Sequence, residues 1–401
     1  MTASSGAGSV SREDAVATAR ELAPRLAARA GEHDVTATFP TEDLEDLRSS
    51  GLLGLMVPER LGGAGAGFAD YSEVAMELAA GSGSTALVFN MHASVTGALA
   101  LTPDDIARAF GVPESHFAAR DRVLQAAAAG ALFAVAMSER GAGSRLSEMT
   151  TRYDRVDGGW RLTGSKAFCS GSTHADAFLV AARSTNEDGE AKVSQFLVPA
   201  AADGVVVEPT WDSLGMRATA SNDVHLRDVV VPEDALLGGV EGLGLLLAQI
   251  MPQWLVASYA AVYVGVAQAA LNAAATYVNE RGLTTLPAVR ARLGRADARV
   301  AAAREVVRAA AVRVDAAPGE PDTNRWVWRA KLLAGETAMD VAASVLEACG
   351  TGASRRGSPL ERLYRDARCG SLQPATSDVC ADWLGAAVLG LDPEQAAVPR
   401  W

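Results

Sequence analysis

The sequence predicts a mainly α-helical protein with a β domain at its centre. Three observations carry this reading. Apolar residues recur at helical spacing near both ends, and the stretch between them breaks into short strands separated by turn signals. No repeat of solenoid period runs through the 401 residues. At that length two or three packed units with sizeable cores are expected. We place them at 1–130, an N-terminal helical domain; 131–240, a middle β-barrel or sandwich; and 241–401, a C-terminal four-helix bundle.

The first eight residues, MTASSGAG, are small and polar and read as a frayed tail without the pattern of an export signal. Ser11 and Asp14 form a capping-box pattern ahead of Val16, Ala19, Leu22 and Leu26, which recur at helical spacing. Pro40-Thr41-Glu42-Asp43 reads as a second helix start, with acids against the positive end of the dipole. Pro58 and the glycines between Gly62 and Gly67 break the helices, and a further helix is expected to run to about Leu99. The β domain opens with FAVAMS, Phe133 to Ser138. TRYDRV and WRLTGSKAF flank Asp157-Gly158-Gly159, a hairpin signal. AFLVAAR and VSQFLVP are separated by a loop at Asn186-Glu187-Asp188-Gly189, and GVVVEP and DVHLRDVVVP complete the strands. Four helices are then expected: Pro252 to Arg281, one carrying Val289, Leu293, Val300 and Val307, Thr323 to Ala348, and Val379 to Leu389.

Composition narrows the function. The chain holds 48 acidic and 36 basic residues, a net charge of −12, which argues against phosphate-backbone binding and so against a nucleic-acid partner. Cys169, Cys349, Cys369 and Cys380 show no metal-ligand spacing, and no metal site is expected. They read as reduced core thiols in a cytoplasmic protein. No charged residue lies between Glu241 and Glu280, but Gln249, Pro252, Gln253 and Gln268 interrupt the run. A helix buried at the centre of a bundle accounts for it better than a membrane span.

The most informative stretch is AMSERGAGSR, Ala136 to Arg145, where a strand ends at a glycine turn that exposes N–H groups beside hydroxyls. With WRLTGSKAFCSG, LGMRATASNDVHLRDVVVPED and LERLYRDARCG it forms a set of four motifs. In order and spacing these resemble the signatures of the acyl-CoA dehydrogenase superfamily, over about residues 10 to 390. The resemblance implies FAD as cofactor and a homodimer or homotetramer. It would place Met137 and Ser138 at the pyrimidine edge of the flavin, and Phe168, Cys169 and Ser170 along the ring system. Arg281 would reach the pyrophosphate in a neighbouring subunit. Glu347, Gly350, Thr351 and Gly352 would contact the adenosine end, with Thr376 and Asp378 as further contacts. Ser144 and Arg145 fall where the family touches its thioester carrier.

The resemblance breaks where dehydrogenation needs a carboxylate to remove a proton. Pro374-Ala375-Thr376 stands where the family has Glu-Gly-Thr, and the alternative position on the long helix is Leu255. The same fold hosts flavin monooxygenases, which need no such base. They need a dry pocket and hydrogen-bond donors, and His92 and Ser170 match catalytic positions of the sulfur-oxidising relatives. A further histidine of that branch is Gln373 here. His33, His116, His174 and His225 are assigned no role. The reading is an oxidoreductase using reduced flavin and O2 on a small or carrier-bound substrate, with a flavin reductase or electron-transfer partner. The alternatives are an acyl-thioester dehydrogenase with a relocated base, or a non-catalytic flavin- or acyl-binding homologue.

Overall fold

The computed structural model describes residues 8–109, 111–184 and 192–395. Most of the MTASSGAG tail and the Asn186–Gly189 loop lie outside these residues. In the N-terminal unit, α1 (Ala15–Thr36) starts where the Ser11 hydroxyl bonds Asp14, and it buries Ala15, Ala19, Leu22 and Leu26. Helix α2 (Thr41–Ser49) begins at the acidic turn. The single helix expected up to Leu99 is two, α3 (Phe68–Gly81) and α4 (Gly83–Ala100). Ser82 adopts an extended conformation between them, and its hydroxyl accepts from the Thr85 N–H to cap α4. The unit closes with α5 (Asp104–Ala109) and α6 (Glu114–Ala128).

The expected barrel or sandwich takes the form of one curled sheet. Its strands are β1 (Phe133–Ala136), β2 (Arg152–Val156), β3 (Gly159–Cys169), β4 (Ala177–Ser184), β5 (Val193–Pro199), β6 (Val205–Glu208) and β7 (Asn222–Pro232). The order is β1-β4-β2-β3-β7-β6, with β5 against β4. Both β1 and β2 run parallel to β4; the remaining pairs are antiparallel. Gly158 takes a positive φ of 75° in the β2–β3 turn, as the hairpin signal requires. The β3–β7 register slips between Lys166 and Cys169, and Phe168 sits in that slip at a φ of 61°. Tyr153, Trp160 and Phe196 fill the sheet's own core.

The C-terminal unit adds α7 (Leu243–Ile250), α8 (Ser258–Glu280), α9 (Pro287–Ala316), α10 (Pro321–Cys349), α11 (Pro359–Arg368) and α12 (Ser377–Val388). The expected start at Pro252 is a separate 3-10 turn, Pro252–Trp254, ahead of α8. Helices α7 and α11 have no counterpart among the four expected helices. The charge-free run folds as anticipated, since its most apolar window is 83% buried inside the protein.

The two helical units share one core. Helices α1, α3 and α4 pack with α8, α9 and α10 through residues such as Tyr71, Phe89, Trp254, Tyr263 and Trp328. Polar contacts span the same seam. The Asp315 carboxylate of α9 accepts from the Phe68 and Ala69 N–H groups at 2.6 and 2.9 Å, where a negative charge meets the positive end of α3. Arg365 of α11 pairs with Asp34 of α1.

Candidate functional site

The motif residues converge where β1 meets β3. The Ala167 N–H donates to the Ser138 carbonyl at 2.9 Å, which sets Met137 and Ser138 beside Phe168, Cys169 and Ser170. Glu139 and Lys166 lock this junction. Their ion pair is 2.9 Å long and buried, and the Glu139 carboxylate also accepts from the N–H groups of Thr150 and Thr151. Burial alone would raise the Glu139 pKa, but the Lys166 ammonium and these donors outweigh it and hold the carboxyl down at about 2. This pair is a structural feature that the motif reading quoted but did not interpret.

Donors are left over at the junction. Among the described residues, neither the Ser138 N–H nor the Ser170 N–H makes a hydrogen bond, and the half-buried Ser138 hydroxyl has no partner. The Phe168 ring stands 54% exposed beside them, edge-on to Trp211 with centroids 6.3 Å apart. Open donors next to an exposed aromatic ring fit the edge and face of a flavin ring, whose oxygens and nitrogens accept. The Ser170 hydroxyl is buried and faces the other way, into a chain with Ser221 at 2.8 Å and Thr219 beyond it. Cys169 also points inward, to the sheet core, where burial pushes its thiol up to about 12. Cys169 is wholly buried and presents no side chain to the ring.

His92 corrects the sequence reading. It is 1% exposed, Nε2 donates to the Leu53 carbonyl at 2.7 Å, and Nδ1 accepts from the Phe133 N–H at 3.1 Å. Both nitrogens are committed to backbone, and burial lowers the pKa to about 4. The ring is a neutral tie between α4, the Leu53 turn and β1, with no donor left for a catalytic role.

The remaining cofactor residues form separate groups in one chain. Arg281 caps α8, exposed, near the loop after α10: a side chain on Gly352 would meet the Tyr277 hydroxyl one turn before Arg281. Glu347 is tied to Arg292 at 2.7 Å, Gly350 takes a φ of 75°, and Thr351 is exposed. Thr376 caps α12 by accepting from the Val379 N–H, and Asp378 is exposed in that first turn. No hydrogen bond or ion pair among the described residues joins these groups to Ser138. Ser144 and Arg145 lie half-buried on the turn after β1, with Arg145 paired to Glu148 at 2.7 Å.

Beside Met137 lies a cavity of about 100 Å3, assembled from segments far apart in the chain. Its walls come from α4, β1 and the α7–α8 segment, including Met91, Val135, Trp254, Leu255 and Tyr259. None of the residues lining it is charged. Burial raises the Tyr259 hydroxyl to about 12, so it is a neutral donor, and among the described residues its one partner is the Met91 sulfur at 3.9 Å. Lys331, also unforeseen, sits behind this wall. Its ammonium donates to the carbonyls of Gly370, Gln373 and Ala375 at 2.8, 3.2 and 2.9 Å. Gln373 in turn accepts from the Tyr263 hydroxyl at 2.7 Å.

Three family models match the chain. They are the acyl-CoA dehydrogenase N-terminal domain over residues 11–104, middle domain over 134–229 and C-terminal domain over 253–389. L-evernosamine nitrososynthase of a Micromonospora species is 33% identical over 384 residues, 92% of this chain and 88% of that protein. KijD3, solved with FMN and a dTDP-linked amino-keto sugar, superposes with a TM-score of 0.84 at 27% identity, covering 96% of this chain and 95% of that one. The FMN-bound dibenzothiophene monooxygenase TdsC of a Paenibacillus species gives 0.81 at 27% identity, covering 94% and 97%.

Proposed function

The chain belongs to the acyl-CoA dehydrogenase family as a flavin-dependent oxidoreductase, and on that footing we propose that it oxygenates a small, largely apolar substrate. A bound reduced flavin would supply two electrons to O2, so that one oxygen atom enters the substrate and the other leaves as water.

One observation carries the choice between oxygenation and dehydrogenation: the cavity beside Met137 contains no proton acceptor of useful strength. Leu255 forms part of its wall. Pro374 offers no basic atom, and the Gln373 side chain is engaged by Tyr263. Removal of a proton from an acyl thioester has no group to perform it here, a deficit worth about 10²–10⁴-fold in rate. The residues present suit the other chemistry. The Ser138 hydroxyl and the Ser138 and Ser170 N–H groups would donate to the flavin edge and favour negative charge there, whereas the Ser170 hydroxyl, turned to Ser221, takes no catalytic part. Phe168 covers part of the ring, and the apolar wall keeps water out. The Tyr259 hydroxyl is positioned as a donor inside the cavity.

Two solved relatives hold FMN, whereas the family resemblance gives Arg281 to a pyrophosphate and Glu347 with Gly350–Gly352 to an adenosine end, neither of which FMN has. We assign FAD, with those residues supplied by a neighbouring copy in a homodimer or homotetramer. Ser144 and Arg145 would then take a carrier phosphate, Arg145 exchanging its exposed partner Glu148 for it. Four free cysteines suit a reducing cytoplasmic setting, and a separate reductase would deliver the electrons.

The test is direct. Protein supplied with a flavin reductase, NADH, FAD and air should convert indole to an oxygenated product, with one oxygen atom derived from O2. Incubated anaerobically with butyryl-CoA, its oxidised flavin should stay yellow. Bleaching by butyryl-CoA together with no oxygenation would replace this reading by dehydrogenation.

A further inference from the structure

The apolar cavity does not end at its own walls. Ala98, Thr102, Gln195, Leu247 and Met251 also line a second chamber of about 120 Å3, further from Met137, between α4, α6 and α7. Apart from Thr102 and Gln195 at the shared neck, this outer chamber is hydrocarbon except for two side chains of α6. Arg120 is 8% exposed, and its Nε is buried without a hydrogen-bond partner. His116, equally buried, contributes its ring to the same wall, and no hydrogen bond of the ring is made among the described residues. A buried donor without a partner is costly, and a ligand acceptor that reaches this Nε, which is sealed from water, would recover the bond.

The charge on Arg120 is already answered. Nη1 contacts Asp104 at 2.6 Å and Nη2 contacts Asp121 at 3.5 Å, while the guanidinium carbon lies 5.1 Å from the Phe117 ring centre. Arg60 shares Asp121 from the outside. A second anion in the chamber would therefore meet two carboxylates for one available N–H. A neutral oxygen satisfies that N–H without a charge conflict.

We propose that the outer chamber is a recognition subsite for an uncharged oxygen acceptor, such as a ketone, ester or ether, at one end of the substrate. Arg120 donates to it from Nε, and the apolar remainder of the molecule extends through the shared neck toward Met137. The substrate class is thus an elongated hydrocarbon or fused aromatic with a single oxygenated end, held so that its far end faces the flavin. Nucleotide phosphates do not fit, because no uncommitted cation lines either chamber. Only the statement about which end reacts rests on the oxygenase reading; the subsite itself is a binding claim.

Binding to the flavin-loaded, oxidised protein separates the two. Three matched probes are titrated by calorimetry: 4-acetylbiphenyl, 4-isopropylbiphenyl and biphenyl-4-carboxylate. The ketone should bind about tenfold tighter than its isopropyl counterpart, the value of one good hydrogen bond to a charged donor. It should also bind tighter than the carboxylate. Arg120→Lys keeps a cation for Asp104 but removes Nε. It should reduce the ketone preference to within about twofold while leaving the isopropyl probe unaffected. Equal binding of the ketone and isopropyl probes by the parent protein would overturn the subsite even if the variant fails to fold. So would preferred binding of the carboxylate, or a preference that survives in Arg120→Lys. Ketone selectivity in a protein that fails to oxygenate any probe would uphold the subsite and remove the oxygenase reading instead.

Discussion

Glu139 shows how a motif residue can serve the fold first. Its carboxylate holds Lys166 and two N–H groups in a buried cluster at the β1–β3 junction. Glu139→Gln leaves the Lys166 ammonium uncompensated, and a loss of about 3–5 kcal/mol in a denaturant titration is expected. His92 acts similarly, tying the Leu53 carbonyl to the Phe133 N–H. His92→Ala strands both groups in the core and should cost about 2–4 kcal/mol. The pH dependence follows from the direction of the shift. The folded pKa is lowered to about 4, below an unfolded value of about 6.5. The contribution is complete above the unfolded value and is lost as the pH falls through that window, because the unfolded chain binds the proton more readily. Urea midpoints measured from pH 7 to pH 4 should therefore fall in the parent protein, with a shallower slope in His92→Ala. Placing His92 at a catalytic position relied on sequence likeness. The sequence could not show that a carbonyl 39 residues earlier and an N–H 41 residues later would claim both nitrogens.

Among the elements, legibility followed local signals. The β2–β3 hairpin was readable because Gly158 provides the turn within three residues, and α1 because its cap and apolar spacing are adjacent in sequence. The α3–α4 break was missed although Gly81-Ser82-Gly83-Ser84 carries a turn signal, because the apolar helical spacing resumes directly on either side of it. Helix α11 was hidden for the opposite reason. Leu360, Leu363 and Ala367 are buried among charged residues, and Arg365 finds its partner Asp34 at the other end of the chain. The cavity is assembled from α4, β1 and the α7–α8 segment, so no single stretch of sequence carries it. Lys331 belongs to this scale because it fixes the whole segment from Gly370 to Ala375 onto α10. Lys331→Met removes three donated hydrogen bonds and should cost about 3 kcal/mol, read as a lower melting temperature. Faster amide exchange at residues 370–376 should accompany it.

At the scale of the whole molecule, the residues implied in cofactor binding divide into groups that one chain does not join. If a neighbouring copy supplies Arg281, its loss should be felt only by the dinucleotide. Arg281→Ala is expected to weaken FAD about tenfold and to leave FMN unchanged, as read by fluorescence quenching in parallel titrations. Equal loss for both would take Arg281 away from the phosphate that only the dinucleotide carries. A different consequence follows from the seam where Asp315 caps α3 and Arg365 grips Asp34. Helices α1 and α3 pack on each other, but α3 and α4 complete their burial only against α8, which is made long after them. On the ribosome they emerge with apolar faces uncovered for the time it takes to translate the β domain and the long helices. Elongation at about 5–20 residues per second makes that interval tens of seconds. Nascent chains of this protein should thus engage chaperones early, and fragments ending before α8 should aggregate rather than fold.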